Sequence, residues 1–195
     1  MQIIGITGGV GSGKSQVLSF LGEKYNAVIC QADQVAWKLQ EPGEVSYCKI
    51  VEHFGTEILN EDKTINRGKL GAIVFNDEKE LQVLNQITHP AVKSYIVSWI
   101  EQEKKKGTEL FVIEAALLLE DNYDKICDVI WYIYTREEVR RVRLKESRNY
   151  SDEKIDSMIA SQLTESYFRE HCQIVIDNSG DFEDTCIHID NVMNN

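Results

Sequence analysis

Residues 8–15 read Gly-Gly-Val-Gly-Ser-Gly-Lys-Ser. The stretch matches the pattern G-x-x-x-x-G-K-[ST] at each of its fixed positions. It follows a short apolar run at residues 3–6 and precedes residues 14–24, where apolar side chains recur at helical spacing. A strand, a glycine-rich loop and a helix in this order surround an anion with backbone N–H groups and the positive end of the helix dipole. The sequence therefore predicts a phosphate-binding loop, or P-loop, for a nucleoside triphosphate.

The residues of this loop have distinct expected roles. Lys14 is expected to reach the β and γ phosphates, and Ser15 is expected to offer its hydroxyl to Mg²⁺. A glycine-rich turn without a ligand is the alternative, and the complete motif between the correct flanks disfavours it. The other expected contacts to the nucleotide are Gly9, Val10, Gly11, Ser12, Gly13 and Gln16.

Short apolar runs alternate with helical patterns along the whole chain. This alternation predicts an α/β fold with a five-stranded parallel sheet flanked by helices. The expected strands are residues 3–6, 27–30, 110–113, 129–134 and 173–176. Between the second and third strands the pattern is helical, and within residues 67–106 it is interrupted at Asn76-Asp77 and at His89-Pro90. Pro90 predicts a new helix or a kink, because proline cannot donate a helical hydrogen bond.

Composition limits the classes of partner. The formal net charge of −11 disfavours a nucleic-acid interface, and no apolar run is long enough to span a bilayer. The five cysteines are an odd number without zinc-ligand spacing, and the N-terminus lacks the basic and apolar regions of a signal peptide. We expect a cytoplasmic protein, with a monomer as the expected state. A phosphorylated ligand then needs local positive charge, for which the arginine-rich stretch 136–148 is the candidate; its alternative role is a solvated helix face.

Asp33 is the candidate general base. It follows the second expected strand in Gln31-Ala32-Asp33, where a carboxylate suits deprotonation of an alcohol close to a γ-phosphate. The alternative is a helix N-cap, a common role for Asp before an apolar helical run, and local sequence does not decide between them. The chain has no Asn-Lys-x-Asp guanine signature and no strand that ends in Asp-Glu. A small-molecule kinase is therefore favoured over a GTPase or a motor ATPase.

A series of short elements, in order, resembles the dephospho-coenzyme A kinase family over residues 1 to about 180. One P-loop is common to many families, whereas this ordered series is specific. The elements are TGGVGSGKS (7–15), AD (32–33), FG (54–55), NR (66–67), ITHP (87–90), LLLE (117–120), the stretch from Arg143 to Arg148, Gln162, and VIDNSG (175–180).

The resemblance implies transfer of the ATP γ-phosphate to the ribose 3′-hydroxyl of dephospho-coenzyme A, with Mg²⁺ as cofactor. It makes Asp33 and Lys14 catalytic, together with Arg143 and Arg148 in a lid, and it adds Asn178 to the ATP contacts. It also implies contacts to the acceptor from Thr7, Asp33, Arg67, His89, Pro90, Leu117 and Glu120. Another P-loop nucleotide or small-molecule kinase is the alternative function.

The resemblance further implies one P-loop kinase unit, residues 1–195, with three parts. These are a nucleotide-binding core (about 1–40, 108–135 and 173–195), a helical acceptor-binding region (about 41–107) and a lid (about 136–165). The chain departs from the family pattern at Gln16, Gln31 and Ala116, and none of these departures removes a residue to which chemistry is assigned. Glu114 and Glu120 could hold Mg²⁺-bound waters or shape the acceptor site, and Glu120 could equally cap a helix. His89 in isolation is typical of packing or capping, and Trp99, Trp131, Tyr132 and Tyr134 are expected in the core.

Overall fold

The computed structural model describes residues 1–194 and contains two compact units. Unit 1 consists of Met1–Ile29 and the chain from Lys106 onward, and unit 2 consists of Cys30–Lys105. Unit 2 is thus an insertion in the sequence of unit 1. Asn195, the last residue of the expected nucleotide-binding core, lies outside the described residues.

A five-stranded parallel sheet forms the centre of the fold, which confirms the predicted fold class. Its strands are β1 (Gln2–Thr7), β2 (Val28–Gln31), β3 (Leu110–Glu114), β4 (Val129–Tyr134) and β5 (Ile174–Asp177), in the order β2-β3-β1-β4-β5. The strand β1 is central, with Ile4 paired to Val112 of β3 on one side and to Val129 of β4 on the other. The loop after β1 therefore begins at the middle of the carboxyl edge of the sheet, where ligands bind in open α/β folds.

Nine α-helices occur within residues 1–194. They are α1 (Lys14–Tyr25), α2 (Ala32–Leu39), α3 (Val45–Phe54), α4 (Arg67–Asn76), α5 (Glu78–Lys106), α6 (Glu137–Arg148), α7 (Asp152–Ala160), α8 (Glu165–His171) and α9 (Phe182–Met193). Short 3₁₀ turns lie at Thr56–Ile58 and Tyr123–Lys125.

The core of unit 1 is formed by the apolar strands and the helices that cover them. Trp131 of β4 is 1% exposed and packs in one cluster with Ile4 of β1, Leu21 of α1 and Ile189 of α9. Tyr132 is 3% exposed, so both aromatic residues belong to the interior, as expected. Strands buried on both faces give continuous apolar runs, which is why these segments were recognisable in the sequence.

Unit 2 has a separate small core and one long helix. The buried side chains of Ile50, Phe54, Ile58 and Leu70 form this core. Helix α4 ends at Asn76, so the predicted interruption there is confirmed. Pro90, however, lies inside the continuous helix α5 and does not start a new helix.

Packing explains the continuity of α5. Thr88, Val92, Ile96 and Ile100 are buried at intervals of four residues, which is the spacing of one helix face, and they lie on both sides of Pro90. Burial of this stripe offsets the backbone hydrogen bond that Pro90 cannot donate.

A membrane-crossing helix, which would need to be both long and apolar, is not found within residues 1–194.

Candidate active site

The P-loop is fixed to the sheet through one carbonyl group. The side-chain amide of Asn178 donates to the Ser12 carbonyl oxygen at 2.8 Å, and the Thr135 hydroxyl lies 3.0 Å from the same oxygen. Asn178 is fully buried, and its amide oxygen accepts a hydrogen bond from Thr185 at 2.9 Å. Asn178, expected among the ATP contacts, is therefore placed beneath the loop, where it fixes the backbone that would surround the phosphates.

Lys14 is held at the mouth of the loop. Its ammonium group donates to the carbonyl oxygens of Gly8 at 2.8 Å and Gly9 at 3.4 Å. Glu114, at the end of β3, lies 3.9 Å from the same nitrogen, and both side chains are less than one-fifth exposed. The fold thus positions the lysine at the loop.

Gly13 has a conformation and an environment that exclude a side chain. Its φ of +84° is left-handed, and a Cβ there would collide with the amide of Asn178. The Arg143 guanidinium lies close by, with Nη1 3.4 Å from the same Cβ position.

Two polar atoms beside the loop are buried and lack a hydrogen-bond partner among residues 1–194. They are Nη1 of Arg143 and Oγ of Ser12. Buried polar atoms are normally paired, and a guanidinium nitrogen without an acceptor is suited to an anion. The expected role of Arg143 at the phosphates is therefore supported by its position, and that role stays a prediction.

A second arginine, Arg140 of α6, contacts the loop backbone directly. Its Nε donates to the Val10 carbonyl oxygen at 2.9 Å, and its Nη2 donates to the side-chain oxygen of Gln162 at 3.0 Å. The same Gln162 oxygen accepts from the Val10 N–H at 3.2 Å. Both polar groups of the Val10 residue are thus held by side chains from the expected lid. A Cβ on Gly9 would meet the guanidinium of Arg140 at 2.6 Å, so glycine permits this approach.

A pocket of about 310 Å³ opens beside these groups. Gly9, Arg140 and Gln162 line one side, and Tyr132 and Phe168 contribute stacked rings with centroids 4.7 Å apart. Burial raises the pKa of Tyr132 to about 12, and the charge of Glu165 adds to the shift. Burial also lowers the pKa of Arg140 from its ordinary value, and arginine remains charged under any ordinary condition.

Other expected site residues of unit 1 occupy different surroundings. The Ser15 hydroxyl is exposed in the first turn of α1, with Gln16 exposed beside it. Thr7 is only 1% exposed at the end of β1. Leu117 and Glu120 are exposed in the loop after β3, and the 3₁₀ turn that follows has Asn122 as its N-cap, so Glu120 does not cap it. Arg148, at the end of α6, is close to Tyr150 and lowers the pKa of that hydroxyl.

In unit 2, Asp33 is exposed in the first turn of α2. The N-cap of this helix is Gln31, and its side chain makes no capping hydrogen bond. Asp33 is therefore not the N-cap, and the structural alternative for this carboxylate is wrong. Its carboxylate is exposed, as a proton acceptor for a bound substrate must be.

The remaining expected acceptor contacts also lie in unit 2. Arg67 begins α4, and its guanidinium carbon lies 4.7 Å from the ring centroid of Trp37. Pro90 lines a pocket of about 520 Å³, together with Leu39, Tyr95 and Ser98 among others. His89, the preceding residue of α5, is half-buried.

Three residues near the expected site were not assigned roles from the sequence. In the sequence, Arg140 was recognised only as one member of the arginine-rich stretch 136–148. Gln162 was recognised only as one of the elements that resemble the family. Trp37 was not recognised, although its spacing of four residues from Asp33 on a short helix would have placed both side chains on one face.

The parallel sheet, the loop after its central strand and the positive charge around that loop define a P-loop kinase. A family model described as Dephospho-CoA kinase matches residues 2–184. The chain belongs to the dephospho-CoA kinase family, as the resemblance predicted, and is an ATP-dependent kinase.

Individual relatives agree with this membership. A dephospho-CoA kinase of Oceanobacillus iheyensis is 36% identical over 191 residues, which cover 98% of this chain and 96% of the relative. One of Carboxydothermus hydrogenoformans is 38% identical over 185 residues, or 95% and 89% of the two chains. The solved dephospho-CoA kinase from Campylobacter jejuni superimposes with a TM-score of 0.72 at 23% identity, covering 99% of this chain and 98% of that one. The similarity to this solved structure shows that the two proteins share a fold.

Proposed function

We propose that the protein transfers the γ-phosphate of ATP to the ribose 3′-hydroxyl of dephospho-CoA, which gives CoA and ADP. The observation that carries the proposal is the set of positive groups around a complete P-loop, where Lys14 is held in place and a buried nitrogen of Arg143 has no acceptor among residues 1–194. The family of the chain supplies the acceptor.

The phosphates of ATP would bind to the backbone N–H groups of the loop and to Lys14. Phosphoryl transfer spreads negative charge over the γ-phosphoryl oxygens, and fixed cations that face those oxygens stabilise the transition state. We assign this role to Lys14 and Arg143. Arg148 is proposed to join them from the lid, residues 136–165.

Mg²⁺ is proposed to accompany the nucleotide. The exposed hydroxyl of Ser15 fits such an ion, because Mg²⁺ usually takes only one or two protein ligands together with substrate phosphates. When bound, the ion would neutralise phosphate charge. Glu114, next to Lys14, is a carboxylate that could orient its waters.

Asp33 is proposed as the general base on the acceptor hydroxyl. The 3′-oxygen forms a bond to the γ-phosphorus while the bond from that phosphorus to the β–γ bridging oxygen breaks. The hydroxyl proton passes to the Asp33 carboxylate, and ADP leaves with the bridging oxygen. The exposed position of Asp33 in the first turn of α2 supports this role.

Unit 2 is proposed to receive the acceptor, mainly through the helical region 41–107. The pocket of about 520 Å³ combines apolar side chains such as Leu39 and Ile87 with Ser94 and Ser98. Such a lining suits a long, partly polar chain. Arg67, His89 and Pro90, with Leu117 and Glu120 from the loop after β3, remain the proposed acceptor contacts. A cytoplasmic monomer also remains the prediction.

The first prediction is a direct test of this function. Full-length protein incubated with Mg-ATP and dephospho-CoA should form CoA, measured by chromatography and mass spectrometry. Adenosine, AMP and shikimate serve as competing acceptors, and the Lys14→Ala variant should lose most ATP binding and turnover. Turnover of another acceptor with none of dephospho-CoA would overturn the proposal, and full activity in Lys14→Ala would contradict the P-loop assignment.

A further inference from the structure

Trp37 and Arg67 form a stacked pair on the surface of unit 2. Trp37 is 53% exposed, and the guanidinium carbon of Arg67 lies 4.7 Å from its ring centroid. Large aromatic side chains are usually buried to a greater extent. A half-exposed indole with a cation above it is therefore a surface to which a second planar group can bind.

The pair lies close to Asp33 along the helix. Asp33 and Trp37 both belong to α2 and are separated by four residues, so that they share one helix face with a rise of about 6 Å between them. A nucleotide whose ribose hydroxyl meets Asp33 would therefore have its base or its phosphates within reach of the indole.

The position of Arg67 is not explained by local stability. It is the first residue of α4, where a positive charge opposes the helix dipole, and the first turn contains no acidic residue. No carboxylate within residues 1–194 forms an ion pair with it. Exposed cation–π pairs contribute only about 0.5–1 kcal/mol. These properties suit a ligand that brings both a π-system and negative charge.

We propose that Trp37 and Arg67 bind the adenosine end of the acceptor, with the adenine stacked on the Trp37 indole and Arg67 oriented towards the acceptor's diphosphate. This inference rests on the proposed function and names the group that selects the acceptor. The base shares its ribose with the reacting hydroxyl, so stacking on Trp37 positions that hydroxyl at Asp33.

The second prediction concerns Trp37→Ala in the full-length enzyme. The KM for dephospho-CoA should rise roughly 5- to 100-fold, the loss expected for one base–aromatic stack, while the KM for ATP stays within about twofold. Trp37→Phe retains a ring and should recover most of the affinity. Tyr167, an exposed aromatic residue of α8 outside the proposed acceptor region, offers a control, because Tyr167→Ala should change neither constant.

A binding measurement without ATP gives an independent readout. Titration of the wild type with dephospho-CoA should quench tryptophan fluorescence, and the quenching should be lost in Trp37→Phe, which retains Trp99 and Trp131. An unchanged KM for dephospho-CoA in Trp37→Ala would overturn the inference. Equal rises in the KM values for dephospho-CoA and ATP, together with a lower melting temperature, would also overturn it. In either case, activity of the wild type would leave the proposed function intact. Absence of CoA formation by the wild type would instead reject the proposed function.

Discussion

At the scale of single residues, the site depends on side chains whose polar groups are held by hydrogen bonds within the protein. Asn178 has both ends of its amide engaged beneath the P-loop, and Lys14 is held by the carbonyl groups of Gly8 and Gly9. Asp33 differs from these residues because its carboxylate is exposed at the start of a helix. Phosphoryl transfer requires both kinds of group: fixed groups that bind the phosphates and a base that the acceptor hydroxyl can reach.

The third prediction concerns Asp33→Asn. The amide cannot accept the proton of the 3′-hydroxyl, so kcat should fall by a factor on the order of 10² to 10⁴, the usual contribution of a positioned general base. ATP affinity, measured by calorimetry, should stay nearly unchanged, because the P-loop belongs to unit 1. Full activity in this variant would remove Asp33 from the mechanism.

The sequence predicted the roles of some site residues and not of others, and the reason is physical. Lys14 and Ser15 belong to a contiguous motif whose spacing alone defines the geometry. The role of Arg140 depends on residues more than a hundred positions away, since its partner in the loop is Val10. Such a contact cannot be inferred from local pattern. Trp37 was predictable in principle, because four residues on a helix bring it beside Asp33.

At the scale of secondary structure elements, α6 and the turn that follows α7 are connected to the P-loop. The connection consists of Arg140 and Gln162, which share one oxygen and together hold the Val10 carbonyl and N–H groups. The elements themselves were largely predicted, because their apolar periodicity is local. Pro90 was expected to start a new helix or to kink the old one, and it does not start a new helix, because a buried stripe from Thr88 to Ile100 continues past it.

The fourth prediction is that Gln162→Leu weakens ATP binding. The substitution leaves the Val10 N–H and a guanidinium nitrogen of Arg140 without their acceptor. Two lost hydrogen bonds at about 0.5–1.5 kcal/mol each correspond to a rise of about 5- to 150-fold in the Kd for ATP. Gln162→Glu retains an acceptor oxygen and should bind nearly as the wild type does. The same change at an exposed position, Gln102→Leu, controls for hydrophobicity. Equal ATP affinity in Gln162→Leu would show that the connection has no effect on the loop.

The fifth prediction concerns α9, which is joined to α1 through Asp190. The Asp190 carboxylate accepts hydrogen bonds from Lys24 at 2.6 Å and from Tyr25 at 2.7 Å, and these bonds lower its pKa from the ordinary value. A carboxylate with a lowered pKa in the folded state stabilises the protein above its unfolded pKa, and this contribution is lost as the pH falls through the folded pKa. Asp190→Asn should therefore lower the midpoint of urea unfolding at pH 7 and have little effect near pH 2.

A matched variant makes this measurement specific. Glu61 lies exposed in a turn outside the helices, and Glu61→Gln removes one negative charge without removing those two hydrogen bonds. Its unfolding midpoint should follow that of the wild type across the pH range. A difference between wild type and Asp190→Asn that does not depend on pH would contradict the electrostatic explanation.

At the scale of the whole molecule, the net charge of −11 contrasts with the cations around the P-loop. The acidic composition agrees with a small phosphorylated ligand that meets positive charge only locally. The parallel sheet and the family were predictable because apolar strands and ordered motifs extend along the chain. The division of the chain into two units at Ile29 and Lys106 follows from packing between residues distant in the sequence. No local sequence pattern predicts such packing.

The central strand of the sheet has a consequence for how the protein is made. β1 leaves the ribosome before its neighbours in the sheet, β3 and β4, and the pairs Gln2↔Leu110 and Ile4↔Val129 join residues more than a hundred positions apart. Unit 2, with its own small core, is synthesised completely before either neighbour appears. Contacts so distant in sequence form slowly, and domains generally fold as units during synthesis. The nucleotide-binding loop is thus translated well before the two strands that flank β1, and it reaches its final shape only after they have been made.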